Sequence, residues 1–327
     1  MSKQSHIERT AHEPRDASLH TVTITAITQV TPTIRLLRLS TTTPIHFLPG
    51  QWLDVHPPPS AAVPKPGGFT IISSPSLAQQ QPSFNPSPKP HGTSSPSPED
   101  PYLELAIQSS PTNPAAAYLF LPPSQLLHTT LQVRVGGSFV FPPPFLSHRG
   151  GHGDEQSGRL KKVVLVAGGM GINPLISMLS YIGEQADGMG VEVRVLYATK
   201  DPGIGLGQGG GVDGGEEDGA RILFLERMVG LFGSGRVKGG LRLFLTWGWE
   251  ASRADMEAVR CRGGVEVPFL RQRITVADVE EAVGGGKEDA VVYVCGVPSM
   301  TDEFVDALVS PEGFGMDKRR VLFEKWW

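Results

Sequence analysis

The segment VVLVAGGMGINPLISML, residues 163–179, sets Gly168, Gly169 and Gly171 between an apolar run and a stretch whose apolar positions recur at helical spacing. A glycine turn in that position lets the backbone approach a diphosphate closely, and the N–H groups at a helix start supply the positive end of the helix dipole. Asn173 is expected as the N-cap and Pro174 as the first helical residue, with Met170 and Ile172 inside the turn. The order G-G-x-G-x-x-P puts proline where the common dinucleotide fingerprint has its third glycine. A strand-to-helix connection without any ligand also uses glycine, so this turn alone leaves a purely structural reading open.

A second candidate is VYVCGVPSM, residues 292–300. Its continuous apolar run suits a central strand, and Gly296 lets the chain leave that strand beside a ligand. Sites in open α/β sheets lie at the carboxyl ends of strands, where 168–171 and 295–298 both fall. Cys295 reads as a compact contact or a buried filler rather than a thiolate nucleophile. Lys200, in YATKD, either meets an adenosine phosphate or is a solvated turn residue. The third candidate is KPGGFTIISSP, residues 65–75, a β-prone run in which Gly67 and Gly68 stand where a phosphate cradle would want a cation. There Phe69 can stack on a flat ring and Thr70 can hydrogen-bond to a heterocycle, or both belong to an ordinary core.

These residues need elements to hold them. A chain of 327 residues exceeds one usual core, so two domains are expected. The runs TVTITAITQV, TIRLLRLS, QWLDVHP, GFTIIS, YLELAIQ and LQVRVGG, separated by turn residues, indicate an antiparallel β-barrel over 19–146 after a flexible tail, 1–18. A proline-rich insertion covers 75–101, and a soft zone around 147–160 links to the second half. From 161 to 327 strands alternate with helices, the pattern of a parallel sheet covered on both faces, with a glycine-rich insertion at 202–219.

Taken together, AGGMGINP, VYVCGVPSM, LLRLS with FLPGQWLDV (47–55), and the terminal LFEKWW resemble the ferredoxin-NADP⁺ reductase superfamily, most closely the oxidoreductase NAD-binding domain-containing proteins. The resemblance implies a flavin-domain-like barrel followed by an NAD(P)-binding domain, with NAD or NADP and FAD or FMN as cofactors. It implies hydride transfer from nicotinamide to flavin and electron passage to an acceptor, a separate protein among the options. Gly168, Gly169, Met170, Gly171, Ile172, Asn173, Pro174 and Lys200 would then hold the nucleotide. Gly296, Val297, Pro298 and Met300 would lie beside the nicotinamide, bordered by Cys295 and Glu324 as the catalytic pair. Phe69, Thr70, Ile71, Ser73 and Ala116 would contact the flavin, and Trp326 and Trp327 would cap it. Flavin-binding relatives carry Arg-x-Tyr-Ser-x-x-Ser where this chain has Gly67 to Ser73, and a Gly-x-x-Ser element where it has Asn113 and Ala116. Losing the cation forfeits about 1.5–3 kcal/mol, which Lys65 offsets only as a point charge. The competing reading is an NAD(P)-binding scaffold or sensor with a degenerate flavin site.

Composition narrows the alternatives. A net charge of −4 with no basic stripe argues against nucleic acid. Two cysteines point to a reducing compartment rather than a disulfide scaffold. No apolar run is long enough to span a bilayer, and the acidic residues near the N-terminus argue against a transit peptide; the expected location is the cytoplasm, with the mitochondrion as the alternative. His148 and His152 sit in a glycine-rich loop, no Cys-x-x-Cys pair occurs, and no metal site is expected. A serine-nucleophile elbow and a Walker lysine are also absent from the sequence.

Overall fold

The structure, a computed structural model, describes residues 5–80, 101–147, 160–185, 189–201, 218–246 and 258–326. The chain divides into two compact units, Met1–Phe141 and Pro142–Trp327.

The first unit contains α1 (His6–Arg9), β1 (His20–Thr31), β2 (Ile34–Thr41), β3 (Trp52–His56), β4 (Gly67–Thr70) and α2 (Pro75–Gln79). It continues with β5 (Tyr102–Gln108), α3 (Pro114–Tyr118), α4 (Pro123–Leu126) and β6 (Thr130–Gly136). The six strands lie in the order β4-β3-β6-β1-β2-β5, all antiparallel. Alternation along β2 sends Leu37 and Leu39 inward, where they meet Val22, Ile24, Leu53 and Leu105. Just past β4, Ile71 bridges Leu105 of β5, so the sheet curls until its two outer strands touch.

Residues 5–16 differ from the flexible tail expected over 1–18. They lie along the sheet: Gly137 N donates to Pro14 O at 3.0 Å, Arg15 bridges Gly136, and Asp16 N donates to Val135 O at 2.9 Å. The cause is Asp54, a carboxylate on the buried strand β3. A buried charge must be paired, and the N-terminal segment brings two of its partners, His6 and Arg15.

The second unit contains α5 (Pro144–Ser147), β7 (Lys162–Gly168), α6 (Ile172–Glu184), β8 (Glu192–Thr199), α7 (Leu225–Gly233) and β9 (Lys238–Leu245). It ends with β10 (Ala258–Arg260), β11 (Glu266–Leu270), α8 (Val276–Val283), β12 (Ala290–Gly296), α9 (Pro298–Val309) and β13 (Val321–Lys325). The sheet order is β10-β11-β9-β8-β7-β12-β13, and every pairing except β10 with β11 is parallel. Every residue of β12 is buried, as expected of a strand covered on both faces. Val292 and Val294 pack with Val164, Phe304 and Leu308 beneath α8 and α9.

The division between units falls at Phe141/Pro142, ahead of the expected linker, because α5 already belongs to the second unit. The remainder of that linker, with His148 and His152, lies outside the described residues, as do 81–100 and 202–217 of the two insertions. The terminal LFEK is the edge strand β13 in parallel register with β12, Cys295 opposite Glu324, rather than a loose cap.

Candidate functional site

From β7 the chain runs to β8 and β9 on one side, then returns to place β12 and β13 on the other. The carboxyl ends of β7 and β12 therefore flank the point where strand order reverses, the usual ligand crevice of an open sheet. Gly168 ends β7, and Gly169–Gly171 form one 3-10 turn before α6. Gly169 is exposed, has φ of +55°, and would meet nothing within 4 Å if it carried a Cβ. A Cβ on Gly171, by contrast, would collide with the carbonyl oxygen of Cys295. The turn is thus drawn down against β12 on one side and left bare on the other.

This tight seating moves the helix start. Gly171 is the N-cap and Ile172 the first residue of α6, so Asn173 and Pro174 are the second and third helical residues, both buried, rather than cap and first position. Proline is tolerated there because the N–H groups of the first turn have no intrahelical acceptor.

Met300, near the start of α9, lays its thioether over both strand ends. A Cβ on Gly168 would come 2.9 Å from Met300 Sδ, and one on Gly296 2.6 Å from Met300 Cε. Gly168, Gly296 and Met300 make an apolar floor beside the exposed Gly169. Pro298 opens α9 in its first turn, and Val297 next to it is 56 % exposed.

Cys295 is fully buried. Burial pushes its thiol well above the ordinary value, the Glu324 carboxylate adds to the rise, and the Trp326 indole opposes it. The group stays a neutral thiol, suited to packing rather than nucleophilic attack. The tail is tied to the same strand end: Trp326 N donates to Gly296 O at 2.8 Å, and Lys325 Nζ pairs with Asp302 at 2.6 Å. Trp327 lies outside the described residues. Lys200 is exposed just past β8, whose Ala198 is in register with Gly168, so it stands at the same end of the sheet one strand away.

The residues expected around a flavin belong to the first unit and are placed differently. Phe69 is only 5 % exposed and points into the core, so it offers no flat surface. The reason is Gly67: a Cβ there would lie 2.7 Å from both Ala115 Cβ and the Phe69 ring, which together fill the space of the missing side chain. Tyr118 packs against the same core. Ala116 N donates to Asn113 Oδ1 at 3.2 Å, so the start of α3 is already capped. Ser73 Oγ accepts from Glu104 N at 3.1 Å, Ile71 is buried at its bridge to Leu105, and Lys65 is 2.9 Å from Glu8. The Thr70 hydroxyl is buried without a hydrogen-bond partner.

The second-unit residues thus fit a dinucleotide: bare backbone at the positive end of a thirteen-residue helix, open space at Gly169, and an apolar floor. In the first unit the space at Gly67 is filled by Phe69 and Ala115, and the Ala116 N–H is already taken by Asn113. Sequence reasoning overlooked His6, Arg15, Asp54 and Arg134, which form one ion cluster; its signal was an aspartate inside the apolar run QWLDV.

No family model matches the chain. It is similar to oxidoreductase NAD-binding domain-containing protein 1 of Bos taurus, with 27% identity over 335 residues, 99% of this chain and 86% of that protein. The protein of the same name from Xenopus laevis is 28% identical over 339 residues, covering 98% of this chain and 84% of its own length. Among solved structures, a ferredoxin NADP+ reductase from Neisseria gonorrhoeae with bound FAD and NADP matches at TM-score 0.58 and 13% identity, over 95% of this chain and 100% of that one. The CS-b5R domains of human Ncb5or in the NAD+ form match at TM-score 0.57 and 16% identity, over 94% of this chain and 69% of that one. The two-unit architecture is that of ferredoxin-NADP+-reductase-type proteins.

Proposed function

We propose that this chain is an NAD(P)H-dependent oxidoreductase of ferredoxin-reductase type, taking hydride from a reduced nicotinamide and delivering electrons, by way of a flavin, to a further acceptor. The observation that carries the reading is the exposed backbone at Gly169, set between the positive end of α6 and the Gly168–Gly296–Met300 floor. The nicotinamide nucleotide, when bound, supplies the hydride. Gly168 to Gly171 hold its diphosphate through backbone groups, and Gly296 to Pro298 border its ring. Met300 and the neutral Cys295 keep the floor apolar and dry, which hydride transfer needs more than it needs an acid or base. Glu324 holds its place beside Cys295 through the β13 pairing. Lys200, exposed just past β8, would meet an added ribose phosphate, so a preference for NADP over NAD would run through it. The names of the similar proteins, NAD-binding oxidoreductases and reductases, agree with this reading.

A second reading, an NAD(P)-binding scaffold or sensor with a degenerate flavin site, is favoured by the filled space at Gly67 and the cap on Ala116. The experiment that tests both is titration of the purified protein with NADH and NADPH, followed by melting temperature and by visible absorbance. Raised melting together with a flavin band bleached by the nucleotide supports the reductase. Raised melting of a colourless protein favours the second reading, and no response to either nucleotide removes both.

A further inference from the structure

The chain has eight methionines, and what surrounds each sulfur differs sharply along the fold. Met178, Met228 and Met316 are buried in the second unit. Met189 is 42 % exposed and precedes β8, at the opposite end of the sheet from the crevice. Met170 and Met300 are half-buried, and both stand at the carboxyl ends of β7 and β12. Met300 is the one in contact with both strand ends. Its Sδ would be 2.9 Å from a Cβ on Gly168 and 3.3 Å from one on Gly296, and its Cε 3.2 and 2.6 Å from the same two points. Behind the thioether the strand ends close on each other: a Cβ on Gly168 would lie 3.6 Å from Gly296 Cα, and one on Gly296 3.4 Å from Gly168 Cα. The thioether therefore fills the space that the two glycines leave, and an atom added to its sulfur finds no room on the strand side. Cys295, the other sulfur here, is fully buried and a neutral thiol, so it does not compete for an oxidant.

We propose that Met300 is a reversible oxidation site through which hydrogen peroxide switches off binding in the crevice. A lone pair of Sδ takes one peroxide oxygen, the O–O bond breaks, and the other oxygen leaves as water with both protons; sulfur is oxidised to the sulfoxide and peroxide is reduced. A sulfoxide reductase drawing on two thiols returns the thioether, releasing the oxygen as water and leaving a disulfide. The thioether is apolar and polarizable, whereas the sulfoxide is polar and one atom larger. With the strand side closed by backbone, the new oxygen either projects into the crevice or forces the side chain off Gly168 and Gly296. In the first case it stands where a ring would lie, and in the second the strand ends are opened to water. Both outcomes abolish the apolar floor. Leucine would supply much the same apolar volume without a reactive atom. That the ligand lost is a nicotinamide nucleotide rests on the function proposed above; the oxidation and unseating of Met300 do not.

The test treats the full chain with hydrogen peroxide, quenches it, and reads the oxygen gained at each methionine by peptide mass. NADH affinity and melting temperature are measured before and after treatment for the wild type, Met300→Leu and Met170→Leu, each protein against its own untreated sample. The expected result is oxidation of Met300 over the same range of peroxide as the exposed Met189, with Met178 and Met228 spared. Wild type and Met170→Leu should then lose NADH affinity at least tenfold and melt lower, in step with the fraction of Met300 oxidised. Met300→Leu should keep its own untreated values, and methionine sulfoxide reductase with dithiothreitol should restore the wild type. Met300 left unoxidised when Met189 is fully oxidised overturns the proposal, as does oxidation of Met300 with affinity and melting unchanged, or an equal fall in Met300→Leu. Should Met300→Leu fail to fold, the dependence on Met300 oxidation in Met170→Leu decides the matter by itself. If untreated protein binds neither NADH nor NADPH, the proposed function falls, while the melting shift still shows whether oxidation unseats Met300.

Discussion

Two glycine clusters mark this chain, and they do opposite work. In the second unit Gly168, Gly169 and Gly171 stand at a strand end; one faces a neighbouring backbone, one a thioether, and Gly169 faces open space. In the first unit Gly67 and Gly68 are both covered by the protein's own side chains, Phe69 and Ala115 on one face and His6 on the other. The same residue type thus exposes backbone in one place and admits packing in the other. What distinguishes them is the surroundings: a parallel sheet ends in a crevice at its switch point, whereas the curled antiparallel sheet closes on itself and is then covered by 5–16.

The strongest way to break this contrast is to remove what holds 5–16 in place. Burial alone would raise the Asp54 carboxyl, but hydrogen bonds from His6, Arg134 and Arg15 outweigh it and bring it down to about 2. Asp54→Asn leaves those groups facing a neutral amide, and the expected loss is about 3–5 kcal/mol, as for breaking a buried pair, read by chemical denaturation. The same group gives the first unit an acid limit. Because its folded value lies below the unfolded one of 3.8, its stabilisation is full above that value and is lost as pH falls toward about 2. Asp54→Asn should abolish that step while leaving NADH binding at neutral pH in place. Loss of NADH binding together with stability would contradict the independence of the two glycine clusters.

Gly171→Ala is next in size. The atom its Cβ would strike is backbone, the Cys295 carbonyl oxygen, which moves only if β12 or α6 moves. About 1–3 kcal/mol of destabilisation is expected, with NADH affinity falling alongside because the turn lifts off the sheet. A wild-type melting temperature would mean that α6 is not seated on β12 as tightly as the geometry requires.

Much of the architecture was legible in the chain. Six β-prone runs became the six strands of the first sheet, and VVLVAGG, VEVRVLYAT and AVVYVC became adjacent parallel strands, because apolar continuity and alternation record burial directly. The strand-turn-helix of 162–184 was legible for the same reason, an apolar run breaking at glycine and resuming at helical spacing. The helix start was misplaced because Asn173 satisfies local capping rules while the decisive contact, Gly171 against Cys295, spans more than a hundred residues. The docking of residues 5–16 was missed for a like reason: nothing local in SHIERTAHEPRD shows that His6 and Arg15 meet Asp54. The inward turn of Phe69 followed from a vacancy at Gly67, which only three-dimensional packing shows to be filled by the ring.

The smallest effects sharpen the comparison most, because they separate binding from folding. Gly169→Ala adds a methyl where nothing lies within 4 Å, so packing does not resist it, but φ of +55° does, at about 1–2 kcal/mol. The methyl also stands where a diphosphate would approach, so NADH affinity should drop by at least tenfold while most of the stability survives. Gly68→Ala adds the same methyl to a strand with no left-handed backbone, and what it meets is the His6 ring, the far end of a side chain on a four-residue helix that can swing aside. Its cost should be under about 1 kcal/mol, its visible result faster trypsin cleavage after Arg9, and its effect on NADH none. If Gly68→Ala lowered NADH affinity, or Gly169→Ala left it untouched, then the open glycine and the covered one would not differ in use, and the crevice at β7 and β12 would lose its claim to the nucleotide.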